Sequence, residues 1–238
     1  MALSIHAFAE KVALITDGEN PVGRAVALQL ALSGAYVIVG FAGSSDENRR
    51  ALGELQSLGT LANAVEADLS TAGGAQKLVA AVDAAFGRLD LLVNCPQLPA
   101  ERDFAGVDEE FFEKTLNTQL KSAFFVTQSA LYLMRPRPKP KIVNVFSALD
   151  TPESFGNCLL AASQAAVRGL TESLAVSLPA NFRVNGIAVS AKKGNGANPD
   201  ADLFREKPGV PADDVARAAM FLLSSEAVGL NGQILKVG

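Results

Sequence analysis

The sequence predicts an α/β fold, a doubly wound sheet of about seven mostly parallel strands with helices on both faces. Short β-branched runs alternate with longer helical patterns along all 238 residues. Hydrophobic residues make up 49% of the chain and charged residues 19%, which suits a compact, mostly buried architecture. No low-complexity tract, internal repeat or linker interrupts this pattern, so residues 1–238 are predicted to form a single domain.

Each predicted strand is a short apolar, β-branched run, and nearly all are followed by a predicted helix. The expected elements are, in order, strand Lys11–Thr16, helix Pro21–Ser33, strand Ala35–Phe41, helix Ser45–Leu58, strand Thr60–Ala67, helix Gly74–Phe86, strand Leu89–Asn94, helix Asp108–Met134, strand Lys141–Phe146, helix Gly156–Leu178, strand Arg183–Val189, helix Pro211–Ser224 and strand Gln233–Val237. Residues 190–210 are the one irregular stretch, in a place where open α/β sheets often carry ligand-covering loops.

Composition excludes several classes of function. The net charge is −4, and the one basic run, at 135–141, alternates with proline, so it predicts a stiff connection rather than a nucleic-acid surface. Cys95, Cys158 and the single histidine, His6, have no metal-ligand or disulfide-framework spacing, so no metal site is expected. No stretch of eighteen consecutive apolar residues and no basic leader is present, which favours a cytoplasmic protein without a membrane partner.

The segment from Val12 to Ala25 has the pattern of a strand, a turn and the start of a helix. In this context a glycine turn holds a pyrophosphate at the helix N-terminus. The segment resembles the short-chain dehydrogenase/reductase pattern Thr-Gly-x-x-x-Gly-x-Gly: Thr16 and Gly23 match it, Asp17 and Pro21 replace its first two glycines, and Gly18 is displaced by one position. The resemblance covers nearly the whole chain, implies a Rossmann-type domain, and is nearest to the 3-oxoacyl-ACP reductase-like subgroup.

The same resemblance identifies four positions of a catalytic tetrad. The family's Asn, Ser, Tyr and Lys correspond here to Gln119, Ser147, Leu160 and Gln164, and Leu160 keeps the tyrosine's spacing after Ser147. In the family the tyrosine moves a proton at the substrate oxygen, and the lysine lowers the tyrosine pKa. Leucine has no proton to transfer and glutamine carries no charge, so the resemblance implies an oxidoreductase scaffold whose activity has been lost.

Two interpretations of the nucleotide turn remain open. A carboxylate about 5 Å from a phosphate oxygen repels it by roughly 3 kcal/mol at an effective dielectric near 20, and Pro21 has no N–H, so a dinucleotide is disfavoured. Either the turn is still a working phosphate cradle, or Asn20 as N-cap and Pro21 at the first helical position make it an ordinary helix start.

Other cofactor positions of the family survive. Asp68 stands where the family places an aspartate against the adenine, and Asn94 ends the fourth strand. Because no acid ends the second strand, a bound nucleotide would be NADP rather than NAD. The predicted cofactor-binding residues are therefore Thr16, Gly18, Gly23, Asp68 and Asn94.

Three functions compete. The first is a non-catalytic member of the family, acting as a structural subunit or as a small-molecule sensor. The second is an NADP-dependent carbonyl reductase with a rebuilt active site, and the third is a non-redox enzyme such as a lyase. Asp150, Glu153, Lys192 and Lys193 could lie near the cleft, although a solvated loop is the simpler interpretation.

The long predicted helix and the active-site helix carry more large apolar groups than one sheet-facing stripe needs. This excess predicts a homo-oligomer, a dimer or a tetramer, or a hetero-oligomer with an active relative.

Overall fold

The computed structural model describes residues 7–43, 46–58, 61–96, 102–148, 158–190 and 210–238. The strands are β1 Val12–Ile15, β2 Tyr36–Phe41, β3 Ala62–Glu66, β4 Leu91–Asn94, β5 Lys141–Ser147, β6 Arg183–Val189 and β7 Ile234–Val237. The α-helices are α1 Pro21–Leu32, α2 Asp46–Ser57, α3 Ala72–Phe86, α4 Glu109–Leu116, α5 Ser122–Met134, α6 Cys158–Ser177 and α7 Ala212–Leu223. The predicted element types are confirmed, with ends that differ by at most two residues, as is usual for frayed termini.

The seven strands form one sheet in the order β3-β2-β1-β4-β5-β6-β7. Every pairing in it is parallel, so the expected mostly parallel sheet is confirmed. The chain changes direction across the sheet between β1 and β4, which are adjacent in space but separated by β2 and β3 in sequence. In open α/β sheets, ligands bind outside the carboxyl ends of the strands at such a point.

Both faces of the sheet are covered, which explains why the central strands are apolar on both sides. β1 and β4 are buried throughout. On one face the core contains Leu30 of α1 and Met220 of α7, and on the other it contains Leu78 of α3 and Met134 of α5. The carboxyl ends of β1, β4 and β5 are therefore held in fixed positions by packing from both sides.

The helix predicted over Asp108–Met134 is confirmed as one unbroken helical stretch, but it contains a π-turn that the sequence did not predict. A π-helical turn, Asn117–Lys121, separates α4 from α5. A π-turn inserts one extra residue into the helix and is frequent at functional sites. Here it contains Gln119, whose side chain is fully buried.

The helix start expected at Asn20 is confirmed. The Asn20 side chain accepts from the backbone N–H of Val22 at 2.9 Å, and Pro21 is the first residue of α1. No described helix has the length and apolar character needed to cross a membrane.

Candidate functional site

Three polar residues mark the carboxyl edge of the central strands. Thr16 follows β1 directly, Asn94 ends β4 and Ser147 ends β5, and all three side chains are buried. Because these strands are parallel neighbours, their carboxyl ends meet at one edge of the sheet. The site predicted from sequence therefore lies at the point where the strand order reverses.

Three of the four predicted tetrad positions are joined by hydrogen bonds. The Gln164 side chain, on α6, donates through Nε2 to Oε1 of Gln119 at 2.9 Å. Gln164 Oε1 accepts from the backbone N–H of Ser147 at 2.8 Å. Gln164 is 1% exposed and Gln119 is 0% exposed, so both contacts are shielded from water. We call these three residues the amide clasp; it links α6, the end of β5 and the π-turn.

The amide clasp requires a neutral side chain at position 164. An amide offers both an acceptor and a donor, whereas a lysine ammonium offers donors only. The contact with Ser147 needs an acceptor, because a backbone N–H points at it. A lysine at position 164 would therefore place a donor against a donor within a buried region.

The fourth tetrad position carries no chemistry. Leu160 is buried, with 7% of its surface exposed, one helical turn before Gln164. Neither tyrosine replaces it: Tyr36 begins β2 and stacks on Phe86, while Tyr132 lies near the end of α5 and donates to Asp83. Both therefore lie towards the amino edge of the sheet, away from the site. Burial and its bond to Asp83 raise the pKa of Tyr132.

The hydroxyl of Ser147 is buried and, within the part of the chain that the structure describes, has no hydrogen-bond partner. A serine needs a neighbouring base to become a nucleophile. The groups that contact Ser147 in the clasp are amides, which do not remove protons at neutral pH. Ser147 therefore ends β5, and no described residue forms a hydrogen bond with its hydroxyl that could activate it.

The first turn is shaped by close contacts at two glycines. A Cβ on Gly18 would lie 2.4 Å from a methyl carbon of Val39 and 2.6 Å from the Phe41 ring. A Cβ on Gly23 would lie 1.9 Å from the carbonyl oxygen of Asp17. Both glycines are therefore required by packing, whatever the turn binds.

Side chains of the turn itself occupy its backbone donors. Asp17 Oδ1 accepts from the N–H of Glu19 at 2.9 Å and from the N–H of Asn20 at 3.2 Å. Asn20 in turn donates to the carbonyl of Pro96 at 3.3 Å, which ties the turn to the end of β4. The Asp17 carboxylate therefore faces inward onto the turn and takes the kind of donor that a phosphate would take.

The predicted cofactor residues have structural contacts at other points of the same edge. Thr16 Oγ1 accepts from the N–H of Cys95 at 3.0 Å. Asn94 donates to Thr127 at 3.1 Å and to Asn144 at 2.8 Å. Asn94 Oδ1 is buried and has no partner among the residues that the structure covers.

Asp68 lies apart from this group, since it follows β3 at the far end of the sheet. It is exposed, and its carboxylate accepts from the N–H of Ser70 at 3.0 Å and from the Ser70 hydroxyl at 2.6 Å. These bonds cap the turn that leads into α3. A role against an adenine therefore stays a prediction for Asp68.

Cys95 behaves as the buried filler that its position suggests. Burial raises the pKa of its thiol strongly, the Asp17 charge raises it further, and a hydrogen bond from the Gly23 N–H lowers it. A thiol held in this form is a poor nucleophile. Cys158 is exposed at the start of α6.

Sequence reasoning missed the buried polar chain that continues from Asn94. Asn144 donates to Thr171 at 2.9 Å, so Thr127, Asn94, Asn144 and Thr171 connect α5, β4, β5 and α6. The available signal was an asparagine inside the apolar run of β5. His6, Asp150, Glu153, Lys192 and Lys193 lie outside the described residues. Within the described ranges no cluster of His, Cys, Asp and Glu could hold a metal ion.

Comparisons with known proteins agree with this architecture. The sequence profile of the short chain dehydrogenase family matches residues 11–198. The chain is 28% identical to the 3-oxoacyl-[acyl-carrier-protein] reductase FabG of Staphylococcus aureus, over 95% of this chain and 96% of that protein. It is also 27% identical to the hydroxynaphthalene reductase arp2 of Aspergillus fumigatus, over 94% of this chain and 89% of that one.

Two solved structures are similar to this chain over nearly its full length. A short chain dehydrogenase from Burkholderia cenocepacia, crystallised in complex with NADP, superposes with a TM-score of 0.85 and 28% sequence identity, covering 97% of each chain. A short-chain type dehydrogenase/reductase from Mycobacterium ulcerans superposes with a TM-score of 0.83 and 26% identity, covering 97% of this chain and 89% of that one.

Proposed function

The chain belongs to the short-chain dehydrogenase family, and we propose that it is a non-catalytic member, acting as a structural subunit or as a small-molecule sensor. The observation that carries this proposal is the amide clasp beside Leu160. The clasp occupies the tetrad positions with neutral groups bonded to one another.

The loss of rate expected without the family's tyrosine and lysine can be estimated. A positioned general acid or base contributes typically about 10²–10⁴-fold to the rate of proton transfer. Leu160 supplies no proton, and the Gln164 amide supplies no positive charge to lower the pKa of a neighbouring hydroxyl. The loss of both groups accounts for a scaffold that keeps its fold without carbonyl reduction.

Catalysis is tested by single-turnover assays. The purified protein, at higher concentration than NADPH or NADH, is mixed with 3-oxoacyl thioesters and simple ketones, and cofactor absorbance is followed. An active short-chain reductase, assayed in parallel, is the control. We expect the rate to be lower than that of the control by at least about 10²-fold. A rate within tenfold of the control would overturn the proposal.

A subunit role requires an assembly surface. Phe112 on α4, Phe124 on α5 and Val176 on α6 are exposed at 47%, 43% and 86%, and Phe104 precedes α4 at 78%. Exposed apolar groups of this size favour an interface. We therefore expect a homo-oligomer, a dimer or a tetramer, or a hetero-oligomer with an active relative.

The assembly is tested by light scattering after size exclusion. Replacement of Phe124 by glutamate places a charge on the α5 surface, and we expect it to lower the measured mass. Replacement of Leu61, which is 62% exposed just before β3, by glutamate is the matched control on a different edge of the molecule. Equal masses for the wild type and both variants would argue against this surface.

The alternative function is an NADP-dependent carbonyl reductase with a rebuilt active site. It is favoured by the 28% identity to the FabG reductase and by the NADP complex of the similar Burkholderia protein. In that case NADPH oxidation would accompany substrate addition and would depend on Ser147. Turnover that is lost in a Ser147→Ala variant, with the fold retained, would establish this alternative.

A further inference from the structure

The family's cofactor has a diphosphate, and the first turn of the sheet is where this fold holds one. Binding there depends on backbone N–H groups that are free to point at phosphate oxygens at the start of the first helix. Whether this chain can offer such donors is therefore decided by the partners of its own N–H groups.

The backbone donors of the turn are occupied one by one. The N–H groups of Glu19 and Asn20 both donate to Asp17 Oδ1, and that of Val22 donates to Asn20 Oδ1. Pro21 has no N–H. The next two donors are taken as well, since Gly23 donates to the Cys95 thiol and Arg24 to the Asn20 carbonyl.

Neighbouring packing holds this arrangement in place. The Gly18 N–H donates to the carbonyl of Gly40 at 2.9 Å, and the Phe41 ring lies against Gly18. The Asn20 side chain, 1% exposed, is bonded on its other side to Pro96. An incoming diphosphate would therefore have to break bonds made by Asp17 and Asn20 while the backbone around them stays fixed.

We propose that the Asp17 carboxylate is a built-in anion which occupies the diphosphate position of this fold, so that the cleft takes only ligands without a diphosphate. The inference rests on membership of the family but not on the loss of catalysis. Occupation of the backbone donors by Asp17 differs from electrostatic repulsion of the diphosphate by its charge. If the donors are occupied, an uncharged side chain with the same acceptor oxygen would also exclude a diphosphate.

A pair of substitutions separates occupation from repulsion. Asp17→Asn removes the charge but keeps an Oδ1 that accepts from Glu19 and Asn20. Asp17→Gly removes both the charge and the acceptor, and it leaves two N–H groups open to a phosphate. Asp103→Gly, at an exposed aspartate that makes no side-chain cap, is the control for the same change in net charge.

Binding is measured by calorimetry with three probes: NADPH, ADP and inorganic pyrophosphate. We expect no binding of any probe to the wild type, to Asp17→Asn or to Asp103→Gly at millimolar concentration. Asp17→Gly should bind each probe at least about tenfold more tightly than the wild type and Asp17→Asn do. Each hydrogen bond to a charged group is worth a factor of about 10–100 in affinity. Thermal melts identify which variants are folded.

Two results would overturn the proposal. Micromolar binding of NADPH to the wild type would show that the turn accepts a diphosphate as it stands. An equal gain for Asp17→Asn and Asp17→Gly would show that charge alone excludes the ligand. If Asp17→Gly does not fold, Asp17→Ala, which also lacks the acceptor, takes its place in the comparison. Because binding is read without turnover, these outcomes are independent of whether the protein reduces carbonyls.

Discussion

Replacing Gln164 by methionine tests the amide clasp directly. Methionine has a similar length and volume, so the change removes polar contacts while largely preserving the packing of α6. Two buried hydrogen bonds are lost: the one from the Ser147 N–H and the one to Gln119. The variant therefore reports the stability that the clasp contributes at the end of β5.

The expected cost follows from these two contacts. A typical hydrogen bond contributes about 1 kcal/mol net, and a buried donor left unpaired costs about 1–3 kcal/mol. Gln119, Ser147 and Gln164 are all buried, so the Ser147 N–H would be left unpaired in a region shielded from solvent. We expect the free energy of unfolding to fall by about 2–4 kcal/mol.

The assay is urea unfolding followed by far-ultraviolet circular dichroism, with Gln76→Met as the control. Gln76 is exposed on α3, where the same substitution should change stability by no more than about 0.5 kcal/mol. Gln119→Met and the double variant complete a cycle, with an expected coupling of about 0.5–3 kcal/mol. If Gln164→Met costs no more than Gln76→Met, the clasp does not stabilise the fold and the reasoning fails.

Three further predictions concern activity, pH and backbone packing. The double variant Leu160→Tyr with Gln164→Lys should not recover NADPH-dependent carbonyl reduction in a spectrophotometric assay; recovery would show that the nucleotide turn still works. Burial and neighbouring cations lower the pKa of Lys141 from 10.5 to about 8. Between about pH 8 and pH 10.5 the unfolded chain therefore binds more protons than the folded one, so the free energy of unfolding should rise with pH over that range. Unfolding measured across that range should show the rise in the wild type and its absence in Lys141→Met. In thermal unfolding, Gly23→Ala should destabilise the fold by at least about 2 kcal/mol, because the added Cβ would collide with a backbone oxygen. Gly53→Ala, in open space on α2, is the control and should stabilise the fold by about 0.5–1 kcal/mol.

Much of the fold could be predicted because its signals are local. The β-branched runs of the strands and the N-cap at Asn20 are read from neighbouring residues, and both are confirmed. The π-turn could not be predicted in this way. Residues 117–121 have an ordinary helical pattern, and the extra residue in the turn shows only in the three-dimensional path of the backbone.

The candidate site, like the fold, could be predicted from the sequence only in part. The sequence predicts that Ser147, Leu160 and Gln164 correspond to the catalytic positions of the family, since that step needs only spacing and residue type. It was not sufficient to show that the Ser147 hydroxyl is buried without a partner among the described residues, or that Asn94 belongs to a polar chain in the interior. Both facts depend on which side chains meet across helices and strands.

The amino-acid sequence by itself determined the parallel α/β architecture, the helix that begins at Pro21 and the absence of a proton donor at Leu160. These properties follow from hydrophobic periodicity, capping chemistry and residue identity, none of which needs a distant partner. Only the tertiary structure decided what the replacement groups do. The Gln164 amide joins partners 17 and 45 residues away, and the turn that carries Asp17 is bonded to β2 through Gly18 and to Pro96, after β4, through Asn20.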